Sequence, residues 1–281
     1  MISCLEYVEK RVEELKKEVS EMNIKPALMV VQIGDDKASS SYIKSKNKLS
    51  EDIGLNFDHL HIENYENVSE KEILIKMFEK SLESNVDGII LQLPVPDKYN
   101  VERIQKAIYL EKDVDGFRKN SNFTPCTPKG IMDWLDYNNY ELEGKNVTVI
   151  GRSKIVGKPL VNLLIDRGAT VTCCNSKTKD LRQYTCKSDL VISAVGKAKF
   201  LDSSYFTNTE LIIDVGINRD ENGKLCGDID YEEVTSNLEN VYVTPVPGGV
   251  GKLTVLSLME NTIEAHKKRN YWLNGIKLNT Q

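Results

Sequence analysis

The sequence predicts an α/β protein of two domains, each with a mainly parallel sheet. Three observations predict it. Strand-length apolar runs lacking polar alternation mark strands covered on both faces. Those runs alternate with helical periodicities, the order expected of right-handed crossovers. A fresh set begins past the middle of a 281-residue chain, a length that suits two domains rather than one.

The chain opens with Leu5, Val8, Val12, Leu15 and Val19 at three- and four-residue steps, an apolar stripe on a helix otherwise built of Glu and Lys. After Pro26, residues 27–34 form a nearly continuous apolar run, and 86–93 form a second that stops at Pro94. Between them lie a helix at 40–53, a weaker strand at 57–62 and a helix at 69–82. In Thr124-Pro-Cys-Thr-Pro128, Thr127 suits an N-cap and Pro128 a first helical position for a helix to residue 137. That link reads as a domain junction. Five further runs follow at 147–151, 169–174, 190–195, 211–216 and 241–246, and a closing helix at 252–268 follows Pro247-Gly-Gly-Val-Gly251. The expected division is 1–125 with 256–281 as one domain and 126–255 as the other, with the helices after Pro128 and Lys252 crossing between lobes.

Composition excludes several classes. Thirty-seven basic and 42 acidic side chains leave a net charge of −5, which does not attract a phosphate backbone or an anionic bilayer. No apolar run approaches the roughly 18 residues of a membrane span, and residues 1–20 are charged throughout, unlike a signal peptide. The expected setting is the cytoplasm, with neither nucleic acid nor membrane as partner. Six scattered cysteines without a C-x-x-C pair read as reduced thiols.

Chemistry enters at strand ends. The run 147–151 leads into Gly151-Arg-Ser-Lys-Ile-Val-Gly-Lys-Pro-Leu160, a strand, a glycine-flanked turn and an apolar helix. Backbone amides at such a helix start meet phosphate. Ser153 replaces the second glycine of G-x-G-x-x-G and the last glycine comes one residue late, so a purely structural turn fits as well. The next strand ends in Asn175-Ser-Lys-Thr-Lys179 rather than a carboxylate. A hydroxyl and two ammonium groups near Arg152 suit a 2′-phosphate, favouring NADP over NAD, with NAD left open and a solvated polar turn as the other reading. Tyr42 and Lys46 lie four apart on one helix face. Gln92 ends a buried strand, and Asp113 and Asp115 form a close pair. Lys44 and Lys48 read as solvated.

These residues carry a resemblance. Tyr42-x-x-x-Lys46, Gln92-Leu-Pro-Val-Pro96, Lys112-Asp-Val-Asp-Gly-Phe117, Pro125-Cys-Thr-Pro-Lys-Gly130, the Gly151 to Pro159 segment, Asp214-Val-Gly-Ile-Asn-Arg219 and Thr244-Pro-Val-Pro-Gly-Gly-Val-Gly251 stand in order over nearly the whole chain. In this the sequence resembles the bifunctional methylenetetrahydrofolate dehydrogenase/methenyltetrahydrofolate cyclohydrolase family. The resemblance implies an N-terminal catalytic domain, a Rossmann-like dinucleotide-binding domain and an active-site cleft between them. It implies oxidation of 5,10-methylenetetrahydrofolate by hydride transfer to NADP, then hydrolysis to 10-formyltetrahydrofolate, by a homodimer with tetrahydrofolate derivatives as partners.

The same resemblance implies residue roles. Lys46 is the general acid/base, Tyr42 packs on the folate, Gln92 holds the lysine amine and Asp115 binds the pterin. Gly151, Arg152, Ser153, Ser176 and Ile217 hold the dinucleotide. Pro247, Gly248, Gly249 and Gly251 lie at the substrate, the glycines allowing close backbone approach. Hydride loss needs no proton removed by the protein, whereas adding water to the methenyl cation and opening the ring do. An amine serves there only if its pKa is lowered, so Lys46 is expected to act mainly in the hydrolytic step.

Departures leave rival readings. Only Arg118-Lys-Asn-Ser-Asn-Phe-Thr124 separates Phe117 from Pro125, where the family usually carries a longer loop with Asn-x-Gly-Arg-Leu. Asn175 replaces a usual histidine and Lys252 a usual proline. A monofunctional dehydrogenase, or a non-catalytic dinucleotide-binding protein on the same scaffold, are the alternatives. His59 and His61, two apart on a strand, lack a third ligand and read as a plain exposed strand, His266 as a cation near a helix end. Cys173 and Cys174 read as packing. No metal is expected.

Overall fold

The computed structural model describes residues 2–278, with side chains for these except Ala38 and 272–278. In chain order the elements are α1 (Cys4–Ser20), β1 (Ala27–Ile33), α2 (Lys37–Ile53), β2 (Asn56–Ile62), α3 (Glu70–Leu82), β3 (Gly88–Leu91), α4 (Val101–Lys106) and α5 (Cys126–Tyr137). Then come β4 (Asn146–Ile150), α6 (Gly157–Asp166), β5 (Thr170–Cys174), α7 (Arg182–Thr185), β6 (Leu190–Ser193) and β7 (Leu211–Asp214). Last are β8 (Asn218–Arg219), β9 (Leu225–Cys226), α8 (Tyr231–Asn237), β10 (Tyr242–Val243) and α9 (Val250–Leu278). They form two compact units, Lys10–Cys126 with Val255–Gln281, and Met1–Glu9 with Thr127–Thr254.

The first unit carries a three-stranded parallel sheet of order β2-β1-β3. β1 is central and almost wholly buried because both its neighbours and both its faces are covered. Met29, Val31 and Ile33 pack with Ile73, Met77, Ile89, Leu91 and Ile104. α2 starts three residues earlier than its apolar pattern predicts, because the Asp36 carboxylate caps it by accepting the Ser39 N–H at 2.7 Å. α3 begins in a capping box of Ser69 and Glu72. α9 ties the unit's edge together through His266, whose Nδ1–H donates to Asp87 at 3.0 Å while Nε2 accepts from Asn270.

The second unit carries a five-stranded parallel sheet of order β10-β7-β6-β4-β5 and an antiparallel β8–β9 hairpin. With β5 on one side of β4 and β6, β7 and β10 on the other, the winding reverses between β4 and β6. Such a reversal leaves a ligand crevice outside the strands' carboxyl ends. The first unit reverses likewise between β1 and β3.

Several expectations need correction. Leu5 is 46% exposed, and the buried stripe of α1 is Cys4, Tyr7, Val8, Val12, Leu15 and Val19. α5 begins at Cys126, so Thr127 is no cap; its hydroxyl meets that of Thr254 at 2.9 Å. β10 keeps only two residues of the expected run 241–246, because only these pair with β7. α9 starts inside the glycine-rich stretch and runs to Leu278, which puts His266 in mid-helix and 3% exposed rather than at a solvated end. Among the described residues no helix is long and apolar enough to cross a membrane.

Candidate active site

In the three-stranded unit, α2 follows β1 and presents Tyr42 and Lys46 one turn apart, both half-buried, while Lys44 and Lys48 are exposed. Gln92 directly follows β3 and is 8% exposed. Its Nε2 donates to the Leu93 carbonyl at 2.7 Å, which turns its Oε1 toward Lys46, whose Nζ donates to it at 2.8 Å. Asp115 lies close enough for its charge to act on the same amine.

The electrostatics follow from dry surroundings. Burial lowers the Lys46 pKa, opposed by the negative charge of Asp115 and by Cys126. Asp115 is pushed up to about 6, by burial first and then by Asp113, against the pull of Lys46 and a hydrogen bond from Cys126. An amine that sheds its proton more readily than a free lysine, held by an oriented amide, is a proton-transfer group.

Asp115 is held from behind. Asn261 of α9 donates to the carbonyls of Val114 at 2.9 Å and Thr124 at 3.2 Å, one ahead of the short 118–124 loop and one at its end. The loop closes on Asp113, which accepts the Arg118 N–H at its carboxylate and the Ser121 hydroxyl at its carbonyl.

In the five-stranded unit, Gly151, Arg152 and Ser153 follow β4 at the winding reversal. Gly151 has φ +121°, a conformation open to glycine, and a Cβ there would stand 2.4 Å from the Ala194 carbonyl oxygen. Ser153 Oγ accepts the N–H groups of Val156 at 3.1 Å and Gly157 at 3.3 Å and so holds the turn that leads into α6. Beyond β5, Asn175 accepts the Lys177 N–H in an Asx turn that leaves Ser176 and Lys177 exposed, as is Arg152. These features fit a dinucleotide: a closely packed glycine turn at a helix start, with a hydroxyl and cations free for a phosphate. Ile217 is 46% exposed, and a Cβ on Gly251 would meet its Cδ1 at 3.9 Å. Gly248 and Gly249 stand beside Pro245, and Pro247 is exposed.

The structure thus brings Tyr42, Lys46, Gln92 and Asp115 together in one unit, and gathers Gly151, Arg152, Ser153 and Ser176 at adjacent strand ends of the other. Pro247, Gly248, Gly249, Gly251 and Ile217 belong to the five-stranded unit. Sequence reasoning missed Cys126, which reaches both Lys46 and Asp115, although its motif was in view. It also missed Asn261 and Asp228, whose partners are not neighbours in sequence and carry no spacing signal, and it quoted Asp214 within a motif without giving it a role. Cys173 is exposed, its thiol 3.8 Å from the Gly151 carbonyl, and only Cys174 packs inside. His59 is exposed on β2 as expected, its ring 3.1 Å from Gln32 and stacked on that of His61, which is half-buried and meets the Gly34 carbonyl at 2.9 Å.

Comparison with known proteins gives matches over nearly the whole chain. Residues 2–115 match the tetrahydrofolate dehydrogenase/cyclohydrolase catalytic domain and residues 125–270 its NAD(P)-binding domain. The bifunctional protein FolD of Agathobacter rectalis is 44% identical over 269 residues, 91% of this chain and 95% of that protein. The crystal structure of FolD from Campylobacter jejuni, a methylenetetrahydrofolate dehydrogenase/cyclohydrolase, is 40% identical with a TM-score of 0.89, covering 95% of this chain and 98% of its own. That of the Trypanosoma brucei enzyme, complexed with NADP and an inhibitor, is 28% identical with a TM-score of 0.88, covering 96% and 97%.

Proposed function

The chain belongs to the tetrahydrofolate dehydrogenase/cyclohydrolase family, and from that premise we propose how its residues divide the family's two reactions. The protein oxidises 5,10-methylenetetrahydrofolate to the 5,10-methenyl form with NADP and hydrolyses that product to 10-formyltetrahydrofolate. When bound, NADP supplies the hydride acceptor; everything else falls to the chain.

In the oxidation the protein's work is orientation, since the hydride leaves a carbon between two nitrogens and the cation formed is resonance-stabilised. Tyr42 offers its ring to the flat folate and Asp115 a carboxylate to the pterin N–H groups. Gly151, Arg152, Ser153, Ser176 and Ile217 would hold the dinucleotide, Arg152 and Ser176 at the 2′-phosphate. Pro247, Gly248, Gly249 and Gly251 contribute backbone beside the ligands.

Hydrolysis needs protons moved. A water adding to the methenyl carbon must lose a proton, and a ring nitrogen must gain one as the ring opens. In its neutral form, which burial favours, Lys46 has one N–H engaged by Gln92 Oε1 at 2.8 Å and keeps its lone pair for the water. The ammonium so formed then returns the proton to nitrogen. The observation that carries this assignment is the desolvated amine held by an oriented amide beside Asp115. Lys46→Met tests it: methenyl hydrolysis without nucleotide should vanish while some NADP reduction persists. Equal loss of both activities in a folded variant would remove Lys46 from its special place in hydrolysis.

We also read the protein as a cytoplasmic homodimer that binds neither nucleic acid nor membrane. The acidic balance of 37 against 42 charged side chains supports the latter part. Sedimentation at micromolar concentration reads the dimer directly.

A further inference from the structure

Asp228 is 0% exposed and follows the β8–β9 hairpin, apart from every residue assigned to ligand above. Its Oδ2 accepts from Ser193 Oγ at 2.9 Å and Val195 N at 2.7 Å. Its Oδ1 accepts from Gly196 N at 3.0 Å, Lys197 N at 2.9 Å and Asn218 Nδ2 at 2.9 Å. A carboxylate offers about four lone-pair sites, so this one has no capacity left for a ligand. Three successive N–H groups at a strand end form a nest of the kind that elsewhere binds phosphate. Here the protein's own anion fills it.

What Asp228 holds is the segment after β6, at the winding reversal, and Asn218, next to Ile217. The first of these abuts the Gly151 turn through the Ala194 carbonyl. Asp214 in turn fixes Asp228 by accepting its N–H at 3.0 Å, that of Ile229 at 2.9 Å and that of Gly216 at 2.9 Å. The two carboxylates are seated reciprocally on glycines. A Cβ on Gly216 would lie 2.3 Å from Asp228 Oδ1, and one on Gly227 1.9 Å from Asp214 Oδ2.

We infer that Asp228 is a positioning residue for NADP: it sets the 194–197 segment against the Gly151 turn and Asn218 beside Ile217, and so fixes the nucleotide's walls without touching it. The inference rests on the assignment of NADP to this unit. Burying a carboxylate carries a desolvation cost, and an apolar side chain in place of Asp228 would leave the Val195, Gly196 and Lys197 N–H groups without their acceptor, so the placing of that segment depends on this carboxylate. Asp214 bears such a cost: burial first, and the charge of Asp228 among the further causes, push it up to about 6.

Isothermal titration of NADP into the wild type, Asp228→Asn and Asn218→Ala, with nucleotide-free methenyl hydrolysis and thermal unfolding measured on each, tests this. Asparagine keeps the shape but turns a donor toward N–H groups. Its NADP affinity should fall about tenfold or more, while hydrolysis, which depends on Lys46 in the other unit, stays within about twofold. Asn218→Ala should lose affinity in the same direction and by less. It carries the test if Asp228→Asn does not fold, because Asn218 is only half-buried. Unchanged NADP affinity in a folded Asp228→Asn, or in Asn218→Ala where that variant carries the test, would overturn the inference. So would hydrolysis that falls in parallel with affinity. A wild-type protein that binds no NADP would instead overturn the cofactor assignment, and this inference with it.

Discussion

Lys46 and Asp115 oppose each other's burial. Each loses hydration, which favours its neutral form, and each charge favours the other's ionised form. Removing one side therefore has a signed effect on the other. In Asp115→Asn the charge that raises the Lys46 pKa is gone, so the rising limb of hydrolysis against pH should move to lower pH. A limb left in place would mean that Asp115 does not act on the amine. Stability gives a second reading. The folded pKa of Asp115, about 6, lies above its ordinary 3.8. Its contribution is thus fully present below pH 3.8 and is lost as pH rises through about 6. Relative to the wild type, the melting temperature of Asp115→Asn should rise between pH 4 and pH 7.

At the scale of elements, helix ends are where sequence and structure agree or part for identifiable reasons. The helix expected at 69–82 begins where the structure has a capping box of Ser69 and Glu72. Ser69→Ala should cost about 1 kcal/mol in chemical denaturation, with both activities unchanged. The strands at 27–34 and 86–93 were legible because burial on both faces forces a continuous apolar run. β8 and β9, two residues each, were not, since so short a pair has no period to show, and of the expected run 241–246 only the two residues of β10 pair. α9 escaped at its start because the glycines before Lys252 suggest a loop. The candidate site was legible as motifs, but not its supports. Asn261 contacts Val114 and Thr124 across 147 and 137 residues of sequence. Asn261→Ala leaves those carbonyls short of a donor, at about 1–3 kcal/mol for each buried group left unsatisfied. Because they flank Asp115, nucleotide-free hydrolysis should fall as well. Lost stability with hydrolysis intact would confine Asn261 to a structural role.

At the scale of the molecule, neither unit is continuous in sequence, and this governs how the chain can be divided. The path changes unit after Glu9, after Cys126 and after Thr254. The five-stranded unit takes its first residues from the N-terminus: Ile2 N donates to Asn138 Oδ1 at 2.7 Å, Trp134 Nε1 donates to the Ile2 carbonyl at 3.2 Å, and Tyr7 packs on Tyr137. The three-stranded unit takes its last helix from the far end. A fragment ending at Cys126 keeps every strand of that sheet but lacks the helix that brings Ser50 to Met259, Val114 to Asn261 and Asp87 to His266. Asp87 would then keep the Ala27 N–H and lose the imidazole, a charged group at a sheet edge stripped of its cover. Buried Leu256, Leu258, Met259 and Ile263 would be missing too. Losses of about 1.5–3 kcal/mol for each such side chain add up to about the whole stability that a domain holds, roughly 5–15 kcal/mol. The fragment 1–126 should therefore show no cooperative thermal transition by circular dichroism, and adding a peptide spanning 255–278 should restore one. A fragment that melts cooperatively by itself would mean that α9 is not part of that unit's folding core.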